Sequence, residues 1–373
     1  MSRVFFWILA LFLLVGGSVS RAEPRNRAAE PGTHKREPFG VCIHADRPDV
    51  YRRAAGISRA LKLVKKAKIE WLRVRIRWHL LEPQQGRING QYLKRVDYTI
   101  RHADRLGIRV YIQLVGTPKW ASPKPETEAF WAYMPKSSDA FEEHLRFVAR
   151  HYRGKVLHYE IGNEIDWISW RSSLENYGRH LRTAYKTIKE VDRHNKILLG
   201  ALATDGVHAF RDGENEAKPK TLQRLYNRGI TNYFDIISLH SYPDKPQTAK
   251  KSVEKVKTTY EIMKKNGDAD KKIWVTELGV SAKNELTEEQ EAAELTSHYD
   301  ALLKLPYVEK IFWSKLRSEG KDSDSNDGSF AILNNDLSPR KAYEAFKEYI
   351  KEADDDLLRA PDLNPAAAES KEK

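Results

Sequence analysis

The stretch WLRVRIRW, residues 71–78, decides the fold. Leu72, Val74 and Ile76 alternate with Arg73, Arg75 and Arg77. In a β-strand that alternation puts the aliphatic side chains on one face and the guanidiniums on the other. Strands of parallel sheets are usually apolar on both faces. Here the apolar face can meet helices while the arginines point into a barrel or its mouth. Buried guanidiniums are costly unless carboxylates lie close by. The same interior is therefore predicted to hold acidic residues, with Arg77 placed at the rim, in water.

Seven further β-rich runs accompany this one: Phe39–Ile43, Arg109–Leu114, Val156–Ile161, Ile197–Ala201, Phe234–His240, Ile273–Thr276 and Lys310–Trp313. They recur at intervals of roughly forty residues with helical patterns between them. Helix starts are marked by Thr287 with Gln290, a capping box, and by Ser338-Pro339, a cap followed by a first-turn proline. Strand–helix repetition implies parallel pairing through crossovers. Eight such units predict a single-domain α/β fold, the (β/α)8 TIM barrel, over residues 38–350. An open doubly wound sheet is the alternative, but no Gly-x-Gly-x-x-Gly follows the first strand.

The ends of the 373-residue chain differ from this middle. Arg3, the apolar run Val4–Val15 and Ser20-Arg21-Ala22 resemble a secretory signal over residues 1–22. The run is short for a membrane anchor. No stable membrane insertion is expected after its removal, and the protein is expected to be secreted or periplasmic. Residues 23–37 read as a polar linker, and 351–373 as a mobile tail. The formal charge is +12, falling to +10 once Arg3 and Arg21 leave with the leader. A basic chain can meet nucleic acid, anionic lipid or acidic polysaccharide. The lysine pairs at 65–66, 250–251 and 264–265 fall on helical stretches and read as solvated faces. No nucleic-acid motif accompanies them, so nucleic acid is not the expected partner. The one cysteine, Cys42, rules out an internal disulfide and sits in an apolar run as a buried strand residue.

Barrel enzymes carry their chemistry at the carboxyl ends of the strands. Those ends supply His44; Trp78 with Glu82; Thr117 to Trp120; Asn163-Glu164; His240-Ser241-Tyr242; Thr276-Glu277; and Trp313 with Lys315. Two glutamates, on strands 4 and 7, thus face each other across a mouth rich in aromatics. Glycoside cleavage needs such a pair: one carboxyl protonates the leaving oxygen while the other attacks the sugar carbon or activates water. Aromatic rings suit the apolar faces of sugars. Glu160, two and four residues from Gly162 and Glu164, also faces inward and is expected to pair with Arg73 or Arg75. No two-histidine spacing and no thiolate cluster suggest a metal site, and no cofactor is expected.

These residues resemble a known group. Trp71-Leu72-Arg73-Val74 with Trp78 and Glu82-Pro83, Gly116-Thr117-Pro118-Lys119-Trp120, Tyr159 to Glu164, His240-Ser241-Tyr242, Glu277, Trp313 and Ser338 to Tyr343 are similar, in order, to the retaining glycoside hydrolases of the large (β/α)8 clan. The resemblance is greatest to glycoside hydrolase family 39, the β-xylosidase and exopolysaccharide-hydrolase group. It implies Glu164 as acid/base and Glu277 as nucleophile. It implies that Asn163 holds the sugar 2-hydroxyl and that Tyr242 and Arg73 bond Glu277. His240 would line the site and Trp313 would form the sugar platform, with Trp78 and Trp120 on the substrate side. Arg75 and the basic Lys315-Leu316-Arg317 depart from that group and suggest an anionic oligo- or polysaccharide as substrate. Trp167 and Trp170 read either as a distal sugar subsite or as loop cover. The competing class is a catalytically inactive glycan-binding barrel. A metal-dependent barrel hydrolase is the third.

Overall fold

The computed structural model describes residues 36–167, 170–203, 220–243, 249–280, 286–319, 330–353 and 358. Eight parallel strands close into a barrel in sequence order: β1 (Phe39–Ile43), β2 (Trp71–Arg77), β3 (Arg109–Val115), β4 (His158–Ile161), β5 (Lys196–Leu199), β6 (Ile236–Ser241), β7 (Lys272–Leu278) and β8 (Val308–Trp313). Around it lie α1 (Ala54–Lys66), α2 (Trp78–Leu81), α3 (Gly90–Arg105), α4 (Ser138–His151), α5 (Leu174–Val191), α6 (Thr221–Tyr226), α7 (Ala249–Lys265), α8 (Glu288–Leu303) and α9 (Lys341–Glu352). The eight-strand (β/α)8 expectation holds, with strand ends displaced by two residues or fewer.

Side-chain caps fix several helix starts. Asn89 caps α3, Ser137 caps α4, Ser173 caps α5, and Thr287 with Gln290 closes the predicted capping box on α8. The second predicted start is displaced. Ser338 bonds Asp336 Oδ1 through its backbone and hydroxyl, and Pro339 bridges Leu333, so α9 begins only at Lys341. The serine is captured by a tight turn before the helix can use it.

The barrel interior is layered by the strand alternation. Leu72, Val74 and Ile76 join the core under the helices. Trp71, on the opposite face, joins Tyr111, Trp274, Phe312 and Cys42 in an aromatic floor. Gly40 is required there, because a Cβ would lie 2.3 Å from the Phe312 ring. Cys42 is buried, and burial pushes its thiol up to about 12. Above the floor the strand register sets Arg75, Gln113 and Glu160 side by side, and Arg73, level with Tyr111, joins them through its bond to Glu160.

The linker and tail expectations fall largely outside the described residues, as does the leader. At their inner ends the chain is packed. Arg36 is buried, and its backbone N–H donates to Leu358 O at 2.5 Å, while Leu358 sits in the core. Ordered packing therefore extends beyond residues 38–350 at both ends. Among the described residues no helix is long and apolar enough to cross a membrane.

Candidate active site

Arg73 organises the site. From β2 its guanidinium donates to Glu160 Oε2 on β4 at 3.0 Å, to Asn163 Oδ1 at 3.0 Å, and to Glu277 Oε1 on β7. One planar fork thus ties three elements together, which a lysine ammonium could not do in that geometry. Glu160 is fully buried and also accepts from Thr276 Oγ1 at 3.4 Å. It is the predicted partner of the arginine layer.

Glu277 has a second donor in Tyr242, whose hydroxyl lies 2.5 Å from Oε2. Arg75 Nη2 stands 3.6 Å from Oε1. Burial alone would push this carboxyl up. The field of His240, the guanidiniums of Arg73 and Arg75, and the Tyr242 hydroxyl outweigh it and hold the group well below the ordinary carboxylate range. Burial and the neighbouring charge push the Tyr242 phenol up, so it stays a donor.

Glu164 stands opposite. Its backbone is left-handed, with φ +47°, directly after Gly162 at +94° and Asn163. A non-glycine residue held there carries strain that the surrounding structure must over-determine. Here Ile165 N–H donates to Ala201 O at 3.1 Å and Trp167 N–H to Glu164 O at 2.9 Å. The Glu164 side chain is partly exposed and bonds His240 Nδ1 at 2.9 Å. That same nitrogen is 3.6 Å from Glu277 Oε2. An oxygen of Glu164 and one of Glu277 lie within 4.8 Å of each other and of the His240 ring nitrogen. The trio could also hold a cation by spacing alone, but Arg73 and Tyr242 already donate to both Glu277 oxygens.

Asn163 Oδ1 accepts from Arg73 and, at 2.6 Å, from Gln113 Nε2. With its oxygen held inward, its amide N–H groups are left for the cleft. That cleft has a volume of about 420 Å³, and Glu164, Glu277, Asn163, Tyr242, Arg75 and Lys315 line it.

Of the ten residues expected at the site, seven converge here: Arg73, Asn163, Glu164, His240, Tyr242, Glu277 and Lys315. Three tryptophans lie elsewhere. Trp78 is buried, stacks on His144 with centroids 4.6 Å apart, and gives its indole N–H to Glu82 Oε2 at 2.8 Å. Trp120 packs edge-on against Trp78 and donates to Glu82 O at 3.0 Å. Both are consumed in tying down the loops after β2 and β3. Trp313 is 0% exposed and donates to Phe330 O at 2.8 Å, because the segment returning after β8 covers its ring. Tyr242 and Phe330, with centroids 5.0 Å apart, present the aromatic wall instead.

Several site residues were missed. Glu319 accepts from His44 Nδ1 and from Arg47 Nη1 at 2.9 Å, with Lys315 Nζ at 3.6 Å. Burial opposes its ionisation, but His44, Lys315 and Arg47 prevail and lower its carboxyl to about 2. Burial in turn holds the His44 imidazole below its ordinary value, so the ring donates as a neutral group. Gln113 also went unnamed, although the one uncharged polar residue in the run RVYIQLV was a signal for it; it faces Arg75 in register. Glu319 carried no such signal. Arg77, expected at the rim in water, is partly exposed and bonds Asp46 Oδ2 at 2.7 Å.

A closed parallel barrel with two facing carboxylates in a polar cleft at its carboxyl end has the build of a glycoside hydrolase. The chain belongs to the cellulase family, glycosyl hydrolase family 5, which matches residues 33–315. The clan expected from the motifs therefore holds, whereas the sequence match is to family 5 rather than family 39. No curated protein matches the sequence significantly. Solved structures share the fold. A GH5_18 enzyme from Streptomyces cattleya in complex with GlcNAc has a TM-score of 0.67 at 17% identity, covering 86% of this chain and 80% of that one. A family 39 glycoside hydrolase from Bacteroides cellulosilyticus WH2 has a TM-score of 0.64 at 17% identity, covering 86% of this chain and 65% of that one. The exo-β-1,4-mannosidase Op5Man5 from Opitutaceae bacterium strain TAV5 has 0.64 at 16% identity, covering 86% and 60%. The chain thus spans less than two thirds of each of the last two enzymes.

Proposed function

We propose that the protein is a retaining glycosidase in which Glu277 is the nucleophile and Glu164 the acid/base. The observation that carries this reading is the pairing itself. A carboxylate held ionised by Arg73 and Tyr242 lies with an oxygen within 4.8 Å of a second, unlike carboxyl. Retention calls for carboxyls about 5–5.5 Å apart, whereas inversion leaves about 6.5–9.5 Å for a water. Glu277 Oε attacks the anomeric carbon as the bond to the leaving oxygen breaks, and Glu164 gives that oxygen its proton. Glu164 then takes a proton from water, whose oxygen displaces Glu277 and releases the sugar. The amide N–H groups of Asn163 hold the hydroxyl beside the reacting carbon.

The substrate is an oligo- or polysaccharide. Arg73 and Arg77 each have a carboxylate within hydrogen-bonding distance, whereas Arg75 bonds neutral Gln113 at 2.6 Å. An anionic sugar would place its acid group against Arg75. The Val4–Val15 run supports a secreted or periplasmic place of action. One structural neighbour was solved with Manβ1-4GlcNAc and another is an exo-β-1,4-mannosidase, so β-mannosides lead the test panel. Wild type and Glu277→Gln are compared on neutral and uronate-bearing oligosaccharides. Glu277→Gln is expected to lose about 10⁴-fold or more in kcat. Equal rates in the two proteins would sink the nucleophile assignment and leave a glycan-binding barrel. Equal turnover of neutral and acidic chains, insensitive to salt, would remove the anionic preference.

A further inference from the structure

Among the described residues three large apolar side chains are strongly exposed: Ile88, Trp131 at 45% and Trp167 at 41%. The two tryptophans lie on adjoining loops at the mouth of the barrel. Trp131 is in the 3-10 turn Phe130–Ala132 between β3 and α4, and its carbonyl accepts from Thr117 N–H at 3.1 Å. Trp167 closes the turn begun by Glu164. The loops are stitched together, since Arg171 N–H donates to Ala132 O at 3.2 Å and Met134 N–H to Ser172 Oγ at 2.7 Å. Trp170, the other tryptophan expected here, is the support. Its ring lies against Gly162, within 3.4 Å of where a Cβ would stand, and packs edge-on against Tyr177. Trp131 lines a small hollow with Trp170 and Gly162.

Resting on the glycosidase reading above, we propose that Trp131 and Trp167 form the subsite for the sugar on the leaving-group side. The acid/base must face the leaving oxygen, so the departing sugar lies on the side of Glu164. Trp167 is three residues from that group and hydrogen-bonded to it. An indole left in water at that place has a use in covering the apolar face of a sugar ring. The occupant is therefore a neutral pyranose of a glycan chain, and the enzyme favours chain substrates over those with a small leaving group.

The test uses two leaving groups. Wild type, Trp131→Ala, Trp167→Ala and the two Trp→Phe variants are assayed on Manβ1-4GlcNAc, mannotriose, cellotriose and xylotriose. Each is also assayed on the glycosyl fluoride of the accepted sugar, which carries nothing on the leaving side. Each alanine variant is expected to lose about tenfold in kcat/KM on the oligosaccharide. Fluoride turnover is expected to stay within about twofold, and the Phe variants to recover most of the loss. Equal losses on both substrates would make the tryptophans mere loop supports and overturn the proposal. So would unchanged oligosaccharide rates, including the case in which the alanine variants alter self-association instead. Fluoride turnover without turnover of any oligosaccharide would overturn it too. If wild type and Glu277→Gln hydrolyse the fluoride equally, the glycosidase reading itself fails, and this proposal with it.

Discussion

Replacing Glu160 by Gln separates the two glutamates of EIGNEID. Glu160 has no exposed surface, and its carboxylate is the innermost partner of Arg73. Breaking a buried pair by removing one partner costs about 3–5 kcal/mol. Two features reduce this. Gln keeps an acceptor for Arg73 Nε, and Glu277 remains on Nη1. The loss should therefore be about 2–3 kcal/mol. At about 2.1 cal/mol/K of unfolding entropy per residue, a barrel of this size shifts by roughly 1.5 °C per kcal/mol. A fall in Tm of about 3–5 °C follows, read by calorimetry or circular dichroism. Activity should fall by about tenfold, because Glu277 retains Arg73 and Tyr242, against about 10⁴-fold for Glu277→Gln. If Glu160→Gln melted with the wild type, or lost as much activity as Glu277→Gln, its role as the fixed counter-ion would be refuted.

Tyr242→Phe removes a donor to the ionised form of Glu277, so that carboxyl's pKa should rise. On the proposed mechanism activity requires Glu277 ionised; the acid limb of kcat/KM should therefore move to higher pH, with a loss of about 10–10²-fold at neutral pH, and an unmoved limb would exclude the contact. Glu319→Gln bears on stability. The folded carboxyl lies near 2 against an ordinary 4.5, so its contribution is present above about 4.5 and lost as pH falls toward 2. The Tm gap between wild type and variant should be widest near pH 7 and should shrink by pH 3.5; a gap independent of pH would assign it to packing.

The periodicity of WLRVRIRW foretold both the barrel and its acid-bearing interior, because a strand has only two faces and one of them was charged. The placement of Glu164 and Glu277 at the barrel mouth was legible for a related reason: each polar residue follows an apolar run, and strand ends open onto the mouth of a barrel. The tryptophans were misplaced because a strand end specifies position along the barrel and not what the following loop does. Trp78 and Trp120 both gave their N–H groups to Glu82, and residue 330 returned over Trp313. Glu319 escaped notice because it reaches its partners from a segment beyond β8, across 275 residues from His44. No local pattern encodes a contact of that separation.

The arginine layer also bears on how Glu277, if it is the nucleophile proposed above, could be anionic in the interior and then lose its charge. Arg73 and Arg75 bring two positive charges into the interior, and Glu160 and Glu277 bring two negative ones. On the proposed mechanism Glu277 would become a glycosyl ester and lose its charge, which would leave the pair of guanidiniums under-neutralised in a poorly solvated place. On the proposed mechanism, the proton that Glu164 would give to the leaving group would create a new carboxylate with an oxygen within 4.8 Å of one of Glu277. Two positive and two negative charges would then remain in this set throughout. Glu160 is the constant member of the set, held away from water so that it cannot be displaced as counter-ion. On that mechanism the other negative charge would move between Glu277 and Glu164, and His240 is in contact with both. Converting Arg75 to a neutral residue of similar length should therefore disturb the second step differently from the first. The covalent intermediate would then hold one guanidinium of that set instead of two, and slower release of the sugar relative to its capture is the expected signature in pre-steady-state kinetics.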